Sequence, residues 1–478
     1  MPPTLALFLW FVLLIALLYF DPARSRKLSP ALWVPVVWLF ILGSRLPSQW
    51  LDTQVGVGSI QAMEEGSPID RGVYVLLIVL SLAVLISRSL NWKAILKANW
   101  VLVVFLIYAL LSTLWSDYPL IALKRWIRDL GAYLSVLVIL TDQRTHEAMC
   151  AVLRRLAYLA IPLSILLIKY FPTMGRQYDF WTGTVQYVGA TTSKNMLGLL
   201  CLVSGLFFFW DTAVRWSERK KKRARRIIVV NALFFALTLW LLNQAHSTTS
   251  TICLILGSLI ILIFYTGLFR RYPRLLKALA PVTFCLYLIL NFGFQMNGSL
   301  AQAVGKDPTL TDRTKIWAFL LGMHTNPIIG TGYQSFWLGS RLETFWLQSG
   351  LGHINEAHNG FLEVYLELGI IGVAIIAVFL LESYRSLCRR LESRSDLAVF
   401  GLAVWLCLVF YNMAEAAFEG GLLYSLFLIG AMRISPKRAY GGVKRVANQT
   451  NRASQPDAHP SLGVAARMDQ PAENLGEF

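Results

Sequence analysis

The side chain in this sequence best suited to move a proton near neutral pH is His358, because an imidazole changes charge closest to that range. It sits in Glu356–Gly372, EAHNGFLEVYLELGIIG, where a polar cluster of Glu356, His358 and Asn359 runs straight into an apolar helix. That helix carries Glu363 and Glu367 and is interrupted by Gly369 and Gly372. Ionisable groups at the mouth of a membrane helix are costly, and by default they mark a functional site. A lone histidine is more often structural than catalytic; the polar company at a membrane boundary tips His358 toward catalysis. Asn359, Glu363 and Glu367 recur one helical turn apart, so they share a face and either orient the imidazole or pair with an arginine.

Other candidates stand further up the chain. Arg313, in TDRTKIW, lies beside aromatic and apolar residues. A guanidinium so placed can clamp a phosphate through two parallel hydrogen bonds, although a surface ion pair is the plainer reading. Gly175–Asn195, GRQYDFWTGTVQYVGATTSKN, supplies Arg176, Lys194 and Asn195, with glycines that let the backbone fold closely. Lys124, Arg125 and Arg128 share a helix face in pairs and form either an anion-binding patch or a set of snorkelling anchors. Ser247–Ser250 is explained by helix N-capping. Glu415 and Glu419 repeat the argument made for Glu363 and Glu367 more weakly. The sequence shows no Walker loop, no HExxH, no GxSxG elbow and no acidic pair in the first outer loop, where Asp52 stands alone. The expectation is a mechanism with no metal and no cofactor.

The elements that must position these residues are membrane helices. Of the 478 residues 56% are hydrophobic and only 15% charged, against about 25% charged in soluble domains. Apolar runs long enough, or nearly so, to cross a bilayer fall at roughly 4–20, 28–44, 72–88, 98–115, 125–141, 150–169, 195–212, 227–243, 250–268, 275–293, 359–381, 397–413 and 421–433. The expected fold is therefore an all-α polytopic membrane protein with about 12–13 transmembrane helices in one bundle over 1–433. The first run has no basic residue before it and no small-residue cleavage site after it, which fits a retained helix. The six cysteines, without CxxC spacing, read as small buried hydrophobes.

The net charge of +17 does not point to nucleic acid, since no basic-aromatic binding module is present. The cations fall in short runs between apolar segments: Arg24/Arg26/Lys27, Arg88/Lys93/Lys97, Arg144/Arg154/Arg155, Arg215–Arg226, Arg270/Arg271/Arg274/Lys277 and Arg385/Arg389/Arg390/Arg394. The tendency of Lys and Arg to stay in the cytoplasm puts these runs inside. The N-terminus and one large loop, 294–358, are then periplasmic, and the C-terminus is cytoplasmic. The loop bearing Asp52, Glu64, Glu65 and Asp70 falls outside too. Residues 434–478 are polar and poor in apolar side chains, which predicts a disordered tail.

AHNGFLEVYLELGIIG, preceded by DRTKIW and NPIIGTGYQSFW, resembles the core of the O-antigen ligase and polymerase superfamily of bacterial membrane proteins. YVGATTSKNMLG resembles that family's glycine-to-asparagine motif, and HNGFLE with SKN is most similar to its exopolysaccharide polymerase branch. The resemblance covers about 175–431. It implies an inner-membrane, metal-independent, inverting glycosyltransferase that takes a glycan from undecaprenyl diphosphate to a glycan or glycolipid acceptor at the periplasmic face. Membrane lipids, and other polysaccharide assembly proteins, are the further partners it suggests. His358 matches the family's proposed general base and Arg313 an arginine that binds the donor's diphosphate. The other family arginine usually precedes the glycine-to-asparagine motif, where this chain has Gln186; Arg176 is the substitute, with Lys194 next. Asn195, Asn359, Glu363, Arg125 and Arg128 complete the expected substrate-binding set.

Polymerisation of exopolysaccharide or O-antigen repeats is the leading expectation. Ligation of O-antigen to lipid A core shares donor and chemistry and differs only in acceptor. A polysaccharide or lipid-linked-oligosaccharide transporter predicts inverted repeats and ionisable groups near the bilayer midplane, whereas here they gather at one face. A purely structural scaffold leaves the grouping of Arg313 and His358 unexplained.

Overall fold

The computed structural model describes residues 1–22, 28–51, 66–178, 183–267, 277–278, 281–282, 310–393, 395–418 and 420–434. Within them the chain is an all-α polytopic membrane protein. Six helices are long and apolar enough to cross a bilayer, or seven if one bent pair counts as a single span. Each apolar run read from the sequence that falls within the described residues is a helix. Four of these are shorter than a full span, since 10–17 residues rise only about 15–26 Å against a hydrocarbon core of about 30 Å. The run at 275–293 lies almost wholly outside the described residues. So do Asp52, Glu64, Glu65, Arg24, Arg26, Lys27, Arg270, Arg271, Arg274, Cys285, Arg394 and Glu419, most of the first part of the large loop, and the tail from 435.

In chain order the helices are α1 (Pro3–Tyr19), α2 (Trp33–Leu42), α3 (Pro68–Ser87), α4 (Trp92–Ala98), α5 (Trp100–Ser112), α6 (Pro119–Leu140) and α7 (Thr145–Tyr170). A small antiparallel hairpin follows, β1 (Arg176–Tyr178) and β2 (Val185–Tyr187), with Arg176 opposite Tyr187. Then come α8 (Lys194–Arg215), α9 (Lys222–Ala245), α10 (Thr248–Tyr265), α11 (Leu310–Gly322), α12 (Gly339–Gln348), α13 (Gly360–Glu392), α14 (Asp396–Tyr411) and α15 (Leu422–Ala431). The helices α7, α8, α14 and α15 are buried nearly all round, with Leu200, Phe207, Trp210, Leu402, Tyr424 and Phe427 sealed in the main core. In contrast α1 and α3 leave Phe8, Ile15, Leu76 and Ile86 exposed, as a lipid-facing surface requires. The cysteines within the described residues are all buried and unpaired.

Two of the basic groups read as loop charges are inside the bundle instead. Arg154, on α7, pairs with Asp211 of α8 at 2.7 Å, and Arg155 pairs with Asp21 at 3.0 Å. Asp211 also takes Arg215 at 2.9 Å and the amide of Asn231 at 2.8 Å. The sequence placed these arginines beside a loop because the carboxylates that neutralise them lie far away in the chain. A charge can remain in an apolar interior only when so compensated.

The longest helix, α13, is broken at Gly369, whose φ of 64° and ψ of −167° leave the helical region. The break frees backbone groups that an apolar interior cannot leave unpaired, and the segment Asn326–Gln334 supplies the partners. Thr331 N donates to Leu366 O at 3.1 Å, Gly332 N to Glu367 O at 2.8 Å, and Ile370 N to Pro327 O at 2.9 Å. From the other side the hydroxyl of Tyr108 on α5 donates to Leu368 O at 2.9 Å. Backbone meets backbone so closely that a Cβ on Gly369 would lie 2.1 Å from Ile328 O, and one on Gly330 would lie 2.3 Å from Glu367 O. Both glycines also hold positive φ. Beyond this junction a second, smaller core of Ile316, Leu320, Phe336, Phe345 and Leu366 ties α11 and α12 onto the start of α13. Gly330→Val and Gly369→Val are each expected to destabilise the fold by more than about 2 kcal/mol, from left-handed strain and overpacking together. Thermal unfolding in detergent checks this, and an unchanged midpoint for both would refute the account of the junction.

Candidate functional site

The site forms where three helices end on one side of the bundle: the start of α8, the start of α13 and the turn after α14. Each end is fixed by its own sequence. Ser193 caps α8 by accepting from Met196 N at 3.2 Å. Asn359 caps α13 by accepting from Phe361 N and Leu362 N at 3.0 and 3.1 Å. After α14 the side chain of Asn412 accepts from Ala417 N at 2.8 Å and closes the turn that carries Glu415. Gly360 N then donates to both Asn412 O and Glu415 O, at 2.8 and 3.1 Å, so the first turn of α13 is tied to that turn. A Cβ on Gly360 would meet the amide oxygen of Asn412 at 1.9 Å.

Glu415 is the centre of what results. It is buried, at 6% exposure. One of its oxygens accepts from Arg313 at 3.1 Å and from Asn195 at 3.1 Å. The other lies 3.2 Å from Nδ1 of His358, and Glu356 reaches the same nitrogen at 2.9 Å. Residues from three other stretches of chain thus converge on one carboxylate. His358 itself holds a φ of 48°, a left-handed conformation uncommon outside glycine, of the kind that clusters at functional sites. Burial disfavours the charged imidazole, but the two glutamates outweigh it and lift the His358 pKa to about 10. At neutral pH the ring is therefore an imidazolium. Its Nδ1 is taken by the glutamates, and Nε2 has no partner among the described residues.

The remaining candidates hold supporting positions. Glu363 is buried, with Oε1 accepting from the indole N–H of Trp337 and Oε2 from Ala357 N, the latter at 2.8 Å. It anchors the residue just before His358. Glu367 accepts from Gln334 N at 2.7 Å. Arg125 donates to Gln334 O, and Arg128 donates to the Gln334 side chain at 2.9 Å and to Asp129 at 2.9 Å. The patch on α6 thus grips the segment that fills the α13 break. Arg176 donates to Ile168 O at 3.0 Å and lies over the Tyr187 ring, 5.7 Å from its centroid, which commits it to the hairpin. Lys194 is half-buried and opens α8 beside Asn195.

Sequence reasoning underrated Glu415 and missed Asp129. Asp129 accepts from Arg128, Tyr333 and Gln334. The available signal for both was an acidic residue within or between apolar runs, which cannot stay there without distant partners. Glu356, His358 and Glu415 are also the one group among the described residues with metal-ligand atoms close enough to share an ion, all within 4.8 Å.

Comparison with known proteins falls on this same region. Residues 232–377 match a family described as O-Antigen ligase. The resemblance to the O-antigen ligase family holds. Over 317 residues the chain is 28% identical to "Exopolysaccharide production protein ExoQ" of Rhizobium meliloti (strain 1021), covering 63% of this chain and 69% of that protein. The described helices make the chain a multi-pass membrane protein, and these findings support its resemblance to the O-antigen ligase and polymerase type of glycan transferase, on the exopolysaccharide side. The family match contains Arg313, His358, Asn359 and Glu363; Asn195 and Glu415 lie outside it and are brought in by the fold.

The raised pKa of His358 gives a pH signature. Its imidazolium adds stability that is whole below the ordinary histidine value and is lost as pH rises through about 10. Glu356→Gln removes one of the two carboxylates on Nδ1 and is expected to lower the His358 pKa, while Glu363→Gln, one residue group removed, leaves it near that of the parent. Proton-detected titration of the labelled histidine checks this, and an unmoved pKa in Glu356→Gln would overturn the electrostatic reading.

Proposed function

We propose that the protein is an inner-membrane enzyme that moves a glycan from undecaprenyl diphosphate to a sugar hydroxyl at the periplasmic face, and that it polymerises exopolysaccharide or O-antigen repeat units. The observation that carries this is the meeting of Arg313, Asn195 and His358 on the buried carboxylate of Glu415. A diphosphate is already a good leaving group and needs its charge neutralised, which guanidinium and ammonium groups supply. A sugar hydroxyl is a poor nucleophile and needs a base. The site sets groups of both kinds side by side. The orientation is supported by helix direction: the run Arg215–Arg226 and the pair Arg389/Arg390 follow or end the helices that start at the site, so the basic end lies opposite, as the cytoplasmic preference of Lys and Arg would have it. The exopolysaccharide relative favours a polymerase over a ligase.

In this reading Arg313 exchanges Glu415 for the donor's diphosphate, and Lys194 is the second cation in preference to Arg176, whose guanidinium is engaged by Ile168 O of α7 and the Tyr187 ring. Glu415 keeps hold of Nδ1, fixing the ring as carboxylates do for catalytic imidazoles. Glu356, the more exposed of the two glutamates at 40%, gives way to the acceptor, so that the ring releases its Nε2 proton to solvent and Nε2 can then accept one from the acceptor hydroxyl. The hydroxyl oxygen then bonds to the anomeric carbon as the carbon–diphosphate bond breaks on the opposite face, which inverts that centre. The scheme uses no metal: Arg313 and Lys194 neutralise the diphosphate and His358 is the base.

Purified protein with lipid-diphosphate-linked repeats, in chelator, is expected to elongate the glycan. His358→Ala should lower kcat by about 10²–10⁴-fold and Arg313→Ala should weaken donor use, both without unfolding. A wild-type rate in His358→Ala would sink the base assignment. Loss of activity in chelator would make Glu356, His358 and Glu415 metal ligands instead. Activity only after addition of a second acceptor lipid would favour the ligase, and lipid movement without bond formation a transporter.

The imidazolium supports a second reading, in which His358 joins Arg313 as a cation on the diphosphate. The two readings predict opposite slopes. A base requires the rate to rise with pH toward about 10, with Glu356→Gln moving the rising limb to lower pH. A cationic clamp requires the rate to fall over the same range.

A further inference from the structure

At the end of the bundle remote from His358 there is a second cavity, of about 740 Å³. It lies near the C-terminal end of α13, which is 33 residues long and begins at the site. Its walls are largely apolar, with Ile95, Leu140 and Phe400, and among the described residues its ionisable lining consists of three cations, Lys97, Arg390 and Arg433, with no acidic residue. We propose that this cavity binds the phosphodiester headgroup of an anionic membrane lipid.

Three observations carry the proposal. First, the positive charge is incompletely answered. Arg433 pairs with Glu382 at 2.7 Å, but Arg390 donates only to the carbonyl of Gly430, and its Nε is buried without a partner among the described residues. Guanidinium groups brought together with so little counter-charge call for an anion. Second, the cavity is roomy and its walls are apolar, which suits a headgroup that carries hydrocarbon better than a bare ion. Third, the cavity sits at a structural corner. The helices Trp92–Ala98 and Trp100–Trp115 meet at 89°, so α4, which supplies Ile95 and Lys97, runs across the end of the bundle. That corner is held by Asn99, which accepts from Arg433 N at 2.9 Å and donates to Arg433 O at 3.1 Å. A cavity at this corner, beside helix ends rich in Arg, stands where lipid headgroups lie. It is not part of the transfer site, and its occupancy does not depend on the reaction proposed above.

The test is native mass spectrometry of the full chain in neutral detergent, titrated with phosphatidylglycerol or phosphatidylcholine. One saturable phosphatidylglycerol site is expected, with phosphatidylcholine binding weaker. Lys97→Gln, at an exposed position, and Arg433→Gln should each weaken it about five- to tenfold. Arg219→Gln, an exposed arginine elsewhere at the basic end, should leave it unchanged. Equal binding of the two lipids, no effect of Lys97→Gln and Arg433→Gln, or an equal effect of Arg219→Gln would each overturn the site. Displacement of the lipid by inorganic phosphate at comparable concentration would make this a free-phosphate site and overturn the lipid assignment.

Discussion

A carboxylate at the edge of an apolar bundle must be answered by charge and hydrogen bonds, and the site is built on that requirement. Glu415, left alone in its turn after α14, would be prohibitively costly to bury. Its partners come from α8, from α11 and from the residues before α13, so one charge gathers three separate pieces of chain. The geometry around it is specific because the turn itself is closed by Asn412 and sealed against Gly360, with no room for a side chain between them. The functional groups are therefore held by a compensation that the fold cannot give up without also giving up the burial of Glu415.

The break in α13 extends the same logic to the backbone. A helix interrupted inside an apolar bundle leaves carbonyl and amide groups that need partners, and the Asn326–Gln334 segment provides them through its own main chain. Glu363 and Glu367 then fasten side-chain to main-chain on either side, at Ala357 and Gln334. Arg125, Arg128 and Asp129 close over Gln334 from α6. Glu363, Arg125 and Arg128 are thus all tied into the frame that keeps Ala357, and hence His358, at one place.

That distinction marks how much could be read from the sequence. The apolar runs announced the helices, and the polar cluster before α13 announced the site, because both signals are local. Glu363 and Arg128 were recognisable as residues that needed a partner, but their partners lie far off in the chain, and nothing in local spacing says whether a partner is a ligand or a main-chain amide. Glu415 was visible only as an acidic residue in a short loop; its importance comes entirely from tertiary convergence. Arg154 and Arg155 were misplaced for the same reason, since Asp211 and Asp21 are what draw them inside. Charge pattern therefore located the ends of the helices well and the role of each charge poorly.

On the proposed function, the charge arrangement also accounts for glutamates in a site that would take an anionic donor. With His358 protonated, Arg313 and the imidazolium match Glu356 and Glu415, so the resting site is close to neutral. The carboxylates hold both cations in position. On the proposed function, an incoming diphosphate would compete with Glu415 for Arg313, with negative charge enough to do so. With Arg313 drawn away in that scheme, Glu415 would have one fewer cation on it and would grip Nδ1 more firmly, which would strengthen the imidazole as a base when its proton is removed. Binding the donor and readying the ring would then be two effects of one exchange, coupled through a single carboxylate.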